Sequence, residues 1–278
     1  MILRLDKLLA DAGLGTRTEV KQIIKKHNVM LNDAKVVRPE TKVDTEKDIL
    51  TIDGKSILHE EFEYFILNKP AGIISAAEDR KEKTVVDLIQ NKKRRDLFPV
   101  GRLDRDTEGL LIITNDGKMA NRLLKPGKHV DKTYYAIVKG SLDKSLIKKF
   151  KDGIDIGDET LTKEADLVIV DSSPYILNES GRSEADMTDS DRAYLDAVHY
   201  FEKKGLVLED HMLGENKVTE VLLTIREGRF HQVKRMFEAV GSEVYYLKRI
   251  SMGLLKLPDD LLAGQYRRLT DEELEKLR

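Results

Sequence analysis

Cysteine and tryptophan are both absent from this chain of 278 residues. The first absence removes disulfides, thiolate nucleophiles and cysteine-ligated metal. The second removes the largest ring available for lining a sugar-binding cleft. Histidine is scarce: the six present are scattered, and none stands four residues from another as in a helical metal site. No metal site is expected. No apolar run approaches the roughly 18 residues of a membrane span. The start, Met1 to Lys7, is not followed by the long apolar stretch of a signal peptide. The expectation is a soluble, cytoplasmic monomer with no membrane partner.

A large excess of one charge sign is missing too, since 48 basic residues face 50 acidic ones for a net charge of -2. The near balance conceals a segregation. Asp171 to Glu215 holds 11 acids against 4 bases, whereas residues 1–38 hold 8 bases against 4 acids. Outside the acidic stretch the chain is positive, so a polyanionic partner is compatible with the total. The length suits one small domain followed by a larger one, and 40% hydrophobic residues suffice for a core in each.

What is present organises into residues 1–60 and 61–278. Leu5, Leu8, Leu9 and Ala12 recur at helical spacing until Gly13-Leu14-Gly15 breaks the pattern. Thr16 with Glu19 predicts a capping box for a second helix, whose apolar face is Val20, Ile23 and Ile24. Short β-type runs follow at Val29 to Asn32, turning at Asn32-Asp33, and at Asp48 to Ile52 before Asp53-Gly54. A short polar linker spans Leu58 to Glu63. The larger part reads as strands at Glu63 to Leu67, Gly109 to Thr114, Lys132 to Lys139, Ala165 to Val170 and Val218 to Arg226. Thr84 to Ile89 predicts a short capped helix, and Phe230 to Val240 a helix burying Val233, Met236, Phe237 and Val240. Such an order is α+β, with mainly antiparallel strands and flanking helices rather than repeated βαβ units. Residues 172–216 form an acidic insertion carrying one helix, expected to be peripheral to catalysis.

Several segments then become specific. Arg4 to Leu9, Gly15 to Val20 and Val29 to Asn32 resemble the S4 RNA-binding domain. Leu67-Asn68-Lys69-Pro70-Ala71-Gly72, Gly101-Arg102-Leu103-Asp104-Arg105-Asp106-Thr107-Glu108-Gly109-Leu110-Leu111, Lys132 to Ala136 and Glu227 to Met236 resemble, in order, the RsuA-type family of ribosomal-RNA pseudouridine synthases. The resemblance implies a small S4-like αα/β RNA-binding domain before a catalytic domain built on a mixed, mainly antiparallel sheet. It implies a cofactor-free isomerisation that cleaves the C1′–N1 bond of uridine, turns the base and rejoins it through C5. The implied partner is ribosomal RNA or a ribosomal-subunit assembly intermediate. The run Lys248 to Gly253 is most similar to the branch acting on small-subunit 16S RNA, with large-subunit 23S RNA the alternative.

The resemblance also implies roles. Asp104 is the catalytic carboxylate, Tyr134 the ring beside uracil, and Lys234 the cation that keeps Asp104 ionised. Tyr135 falls on the opposite face of its strand and belongs to the core. Asp106 is expected to be a plain structural acid, and His231 and Gln232 to order the start of their helix. Arg102 is expected on the substrate side and Arg235 on a phosphate. In the front domain Arg4, Lys7, Arg17, Lys21 and Lys25 are the expected RNA contacts. Two other readings exist: a non-catalytic S4-type ribosome-associated protein, and a hydrolase using Asp104 with Asp106 as a carboxylate pair. Retention of Asp104, Tyr134 and Lys234 together argues against the first. Lack of an aromatic sugar cleft argues against the second.

Overall fold

A computed structural model describes residues 1–57, 61–125, 130–170 and 218–277. The acidic insertion expected over 172–216 therefore lies outside the described residues, apart from the strands that flank it.

The first 57 residues build their own core. Strand β1 (Ile2–Arg4) leads into α1 (Leu5–Asp11) and α2 (Arg17–Lys26). The Thr16 hydroxyl accepts from Glu19 N and the Glu19 carboxylate accepts from Thr16 N at 2.6 Å, the expected capping box. Strands β2 (Val29–Leu31), β3 (Ala34–Lys35), β4 (Lys42–Asp44), β5 (Leu50–Ile52) and β6 (Lys55–Ser56) follow. The order β3-β2-β5-β6 makes one small sheet, and β1 pairs with β4. Asn32 and Asp33 both take positive φ, as a two-residue hairpin turn of this twist requires. Leu5, Leu8, Leu9, Val20, Ile24, Val29, Val43 and Leu50 close the core.

The larger sheet has nine strands among the described residues. They are β7 (Tyr64–Lys69), β8 (Phe98–Pro99), β9 (Glu108–Thr114), β10 (Lys132–Lys139), β11 (Asp166–Ile169), β12 (Val218–Ile225), β13 (Val244–Met252), β14 (Leu255–Lys256) and β15 (Tyr266–Arg268). The main order is β11-β12-β10-β13-β9-β7-β15. Every pair is antiparallel except β9 with β13. Strands β7 and β9 are apolar at successive positions because both sheet faces are covered. Phe65, Leu67, Leu111 and Ile113 face one core, with Phe150 of α4 (Ser145–Asp152) and Val233, Met236 and Phe237 of α5 (Gln232–Glu238). Ile66, Leu110 and Ile112 face the other, with Met119, Ala120 and Leu123 of α3 (Gly117–Leu124) and Leu277 after α6 (Asp271–Glu275).

Three local expectations need adjustment. Thr84 to Ile89 is two successive hydrogen-bonded turns rather than a helix. The Asp87 carboxylate takes both the amide and the hydroxyl of Thr84, and Thr84 Oγ accepts from Asp87 N, so the turn keeps the capping pattern of a helix start without the helix that would follow. The helix expected from Phe230 begins at Gln232, because His231 adopts left-handed backbone at φ 49°. Glu63 belongs to no solvated linker: it is fully buried and accepts from the amides of Lys93 and Arg94 and from the Arg268 guanidinium. Neighbouring Arg94 reaches Asp11 at the end of α1 at 3.3 Å, so one loop touches both cores.

Candidate active site

The segment from Gly101 to Thr107 is a turn-rich bridge between β8 and β9, and its shape is imposed from three directions. Ser75 Oγ donates to Leu103 O at 2.7 Å and accepts from Leu103 N at 3.0 Å, clamping one residue from both sides. Thr107 N closes a turn on Asp104 O, and Gly72 N donates to Arg105 O at 2.7 Å. Lys69, fully buried, donates from Nζ to Pro70 O, Arg105 O and Thr107 O at 3.1, 3.1 and 2.9 Å. Burial pushes its ammonium down to about 8, against the raising influence of Glu108, Asp106 and Asp104. The buried Glu108 carboxylate accepts from Ala71 N and from the Tyr246 hydroxyl at 2.9 Å, tying the Lys69-Pro70-Ala71-Gly72 turn to β9 and β13. Gly109 permits the β9–β13 approach, since a Cβ there would lie 2.3 Å from Arg249 O.

This scaffold leaves Asp104 partly exposed beside buried Leu103. Helix α5 brings Lys234 Nζ to 3.5 Å from Asp104 Oδ2. The same ammonium lies 2.6 Å from Asp106 Oδ1. Asp106 is therefore the nearer partner of Lys234, which differs from the plain structural part expected of it. Burial pushes the Asp106 carboxyl up, but the hydrogen bond and charge of Lys234 prevail and hold it below the usual range. His231, at the mouth of α5, places Nε2 3.5 Å from Asp104 Oδ1. Two carboxylates, an ammonium and an imidazole thus meet where β9 begins and α5 begins. Such a cluster sets positive charge beside a partly exposed carboxylate.

Tyr134 and Tyr135 divide as the alternation of β10 requires. Tyr134 lies in the apolar cluster that contains Leu103 and Val233, the chain neighbours of Asp104 and Lys234. Tyr135 faces away, donating to Glu220 at 2.7 Å and meeting Tyr246 edge-on. Arg102 is exposed one residue before Leu103.

Arg235 has another task than the phosphate contact expected of it. Its guanidinium donates to Asp158 at 2.5 Å, to Ile156 O and to Phe230 O, fixing the 154–161 loop to α5. Gln232 orders the helix start as expected, accepting from Arg229 N and donating to Glu227. In the front domain Lys7, Arg17, Lys21 and Lys25 are exposed, and the last three form one stripe along α2 at four-residue spacing. Arg4 instead binds buried Asp6 through two hydrogen bonds of 3.0 and 2.9 Å.

Sequence reasoning missed Lys69, Ser75 and Glu108 as parts of this machinery. Lys69 carried a usable signal, being a cation at the end of the apolar run Tyr64 to Leu67, where only a well-hydrogen-bonded charge survives burial. Ser75 carried none, because its partner is the backbone of a residue 28 positions away.

Comparison with known proteins agrees over the full length. Residues 63–239 match the RNA pseudouridylate synthase family, and residues 3–50 match the S4 domain. The chain is 39% identical to YtzG, an uncharacterized RNA pseudouridine synthase of Bacillus subtilis, covering 99% of this chain and 98% of that one. It is 37% identical to ribosomal large subunit pseudouridine synthase B of the same organism, over 99% and 95%. It is 32% identical to ribosomal small subunit pseudouridine synthase A of Vibrio vulnificus, over 99% of each. A crystal structure of a pseudouridylate synthase superposes with a TM-score of 0.59 at 30% identity, covering 99% of this chain and all of the other.

Proposed function

We propose, because the chain belongs to the RNA pseudouridylate synthase family and is an RNA pseudouridine synthase, that its substrate is a uridine of ribosomal RNA isomerised at Asp104. The observation that carries this reading is the contact of Asp104 with both Lys234 and His231, at 3.5 Å each, on a loop pinned by Lys69 and Ser75. Asp104 attacks or deprotonates the sugar while the base is detached, and Lys234 supplies a positive charge 3.5 Å from its carboxylate. Tyr134 packs beside the detached uracil and takes part as the proton leaves C5. The uridine must leave its stack to reach this point, which costs a few kcal/mol and least in loops and bulges. The α2 stripe of Arg17, Lys21 and Lys25, with Lys7, holds the RNA by its phosphates while one base is sampled. Arg102 lies on the substrate side.

The small ribosomal subunit is the first assignment, carried by the run Lys248 to Gly253. The large subunit is the second, favoured by 37% identity to a large-subunit enzyme against 32% to a small-subunit one. Mapping pseudouridines in both ribosomal RNAs from cells carrying Asp104→Asn decides between them. One site should vanish, in 16S RNA on the first assignment and in 23S RNA on the second, and wild type should restore it. Loss of no site in either RNA overturns the ribosomal reading.

A further inference from the structure

Phe230 is 74% exposed, immediately before α5, so it contributes little to either core. Its ring lies parallel to the imidazole of His231, with centroids 3.8 Å apart and planes 17° apart. One ring face is therefore covered and the other is open to solvent. His231 is itself 3.5 Å from Asp104. The two rings form a continuous stack that starts at the candidate catalytic carboxylate and ends in an exposed π-surface.

The mount is firm. Phe230 O accepts from Arg235, and the preceding Arg229 is fastened by Thr160 O at 2.7 Å and Leu161 O at 2.6 Å. The left-handed turn at His231 carries the chain from this anchored loop into α5. An exposed aromatic held this way is pre-organised, so little freedom is lost when something stacks on it.

From this geometry we propose that the open face of Phe230 is a stacking subsite for a nucleobase adjacent to the flipped uridine. The inference rests on the reading of Asp104 as the point that receives that uridine. When a nucleotide turns out of its stack, its neighbour loses a stacking partner. A π-surface two rings from Asp104 replaces that partner and stabilises the flipped state. Any base presents a flat face, so the subsite favours single-stranded or looped RNA over a particular sequence.

The test uses the full chain and two readouts. The first is binding of a fluorescein-labelled single-stranded oligouridylate of about 12 nucleotides, a length within the usual span of such sites, titrated at several salt concentrations. Phe230→Ala and Phe230→Leu should each weaken binding by roughly 5- to 150-fold, the range for loss of one base–aromatic stack. Phe230→Tyr should stay within about twofold, because it keeps the ring. The salt dependence should keep its slope in all three, since no phosphate contact is removed. Equal affinity of wild type and Phe230→Ala, recovery by Leu, or no binding by wild type would each overturn the subsite. The second readout is tritium release from 16S and 23S transcripts labelled at uridine C5. A parallel fall in kcat/KM for Ala and Leu, with Tyr retained, supports the subsite. Undiminished release by Phe230→Ala overturns it and leaves the enzymatic reading standing. Oligouridylate binding that falls with Ala, with no release from either transcript by wild type, supports the subsite and defeats the ribosomal reading instead.

Discussion

Replacing Lys69 by Met tests whether a buried cation, rather than apolar packing, shapes the loop that presents Asp104. The wild-type ammonium donates to three carbonyls, those of Pro70, Arg105 and Thr107. Hydrogen bonds to a charged group contribute about 1.5–3 kcal/mol each, or roughly 5–9 kcal/mol in all. Opposing this is the cost of keeping the charge buried. A pKa moved from 10.5 to about 8 sets that cost at roughly 3 kcal/mol. Methionine keeps the stem and removes the charge, so the expected net loss is about 2–6 kcal/mol. For a chain of this size that lowers Tm by about 4–24 °C. Two of the three carbonyls belong to residues within three positions of Asp104, and a displacement of ~1 Å there costs about 100-fold in rate. Thermal denaturation and tritium release measure the two effects. The pH dependence supplies a sign. Lys69 has a folded pKa below its unfolded one, so its contribution to stability is complete above about pH 10.5 and is lost as pH falls through about 8. Wild type should therefore gain stability over that window, and the gap to Lys69→Met should widen from pH 8 to pH 10. Lys132 and Lys248, also pushed down to about 8 by burial, share the rise and persist in the variant. An unchanged Tm with an unchanged rate refutes the role of Lys69 in the loop, and a gap that narrows with rising pH refutes the lowered pKa of its ammonium.

Other expectations follow from the same geometry. Lys234→Met should cut turnover by about 100-fold or more while Tm moves by only a few degrees, and Asp106→Asn should cost less than about tenfold; the reverse ranking in tritium release would make Asp106 the functional partner. Arg235→Ala should destabilise by roughly 1–3 kcal/mol through loss of its bonds to Asp158 and the Ile156 and Phe230 carbonyls. It should leave the salt slope of RNA binding unchanged, and a reduced slope would restore the phosphate contact. Substituting Arg17, Lys21 and Lys25 together by Ala should lower that slope by about two to three, with the Asp104 chemistry intact on saturating RNA. An unaltered slope would remove α2 from the RNA interface.

Much of the molecule was readable in residue order. The capping box at Thr16, the turn at Asn32-Asp33, the buried strand from Gly109 and the assignment of Tyr135 to the core all follow from short-range rules of spacing and backbone preference. Expectations shifted where a distant partner competed with the local one. Helix α5 starts late because His231 turns left-handed beside Asp104. Thr84 to Ile89 keeps its Thr84–Asp87 cap but closes only two turns, Asp87 N on Thr84 O and Ile89 N on Val86 O. Arg235 looked free in sequence, yet Asp158, 77 positions away, claims it.

The sequence by itself determined the S4-like front, the family resemblance and the candidate for the reacting carboxylate. Each rests on residue types at fixed spacings along one stretch of chain. Only the tertiary structure decided how the charges pair. Lys234 comes 2.6 Å from Asp106 and 3.5 Å from Asp104 because α5 packs Val233, Met236 and Phe237 into the same core that buries Leu103. Lys69 reaches the carbonyls around Asp104 because β7 and β9 pair antiparallel, setting Lys69 opposite Gly109. Charge interactions depend on distance in space, and folding alone sets the distance between groups more than a hundred residues apart.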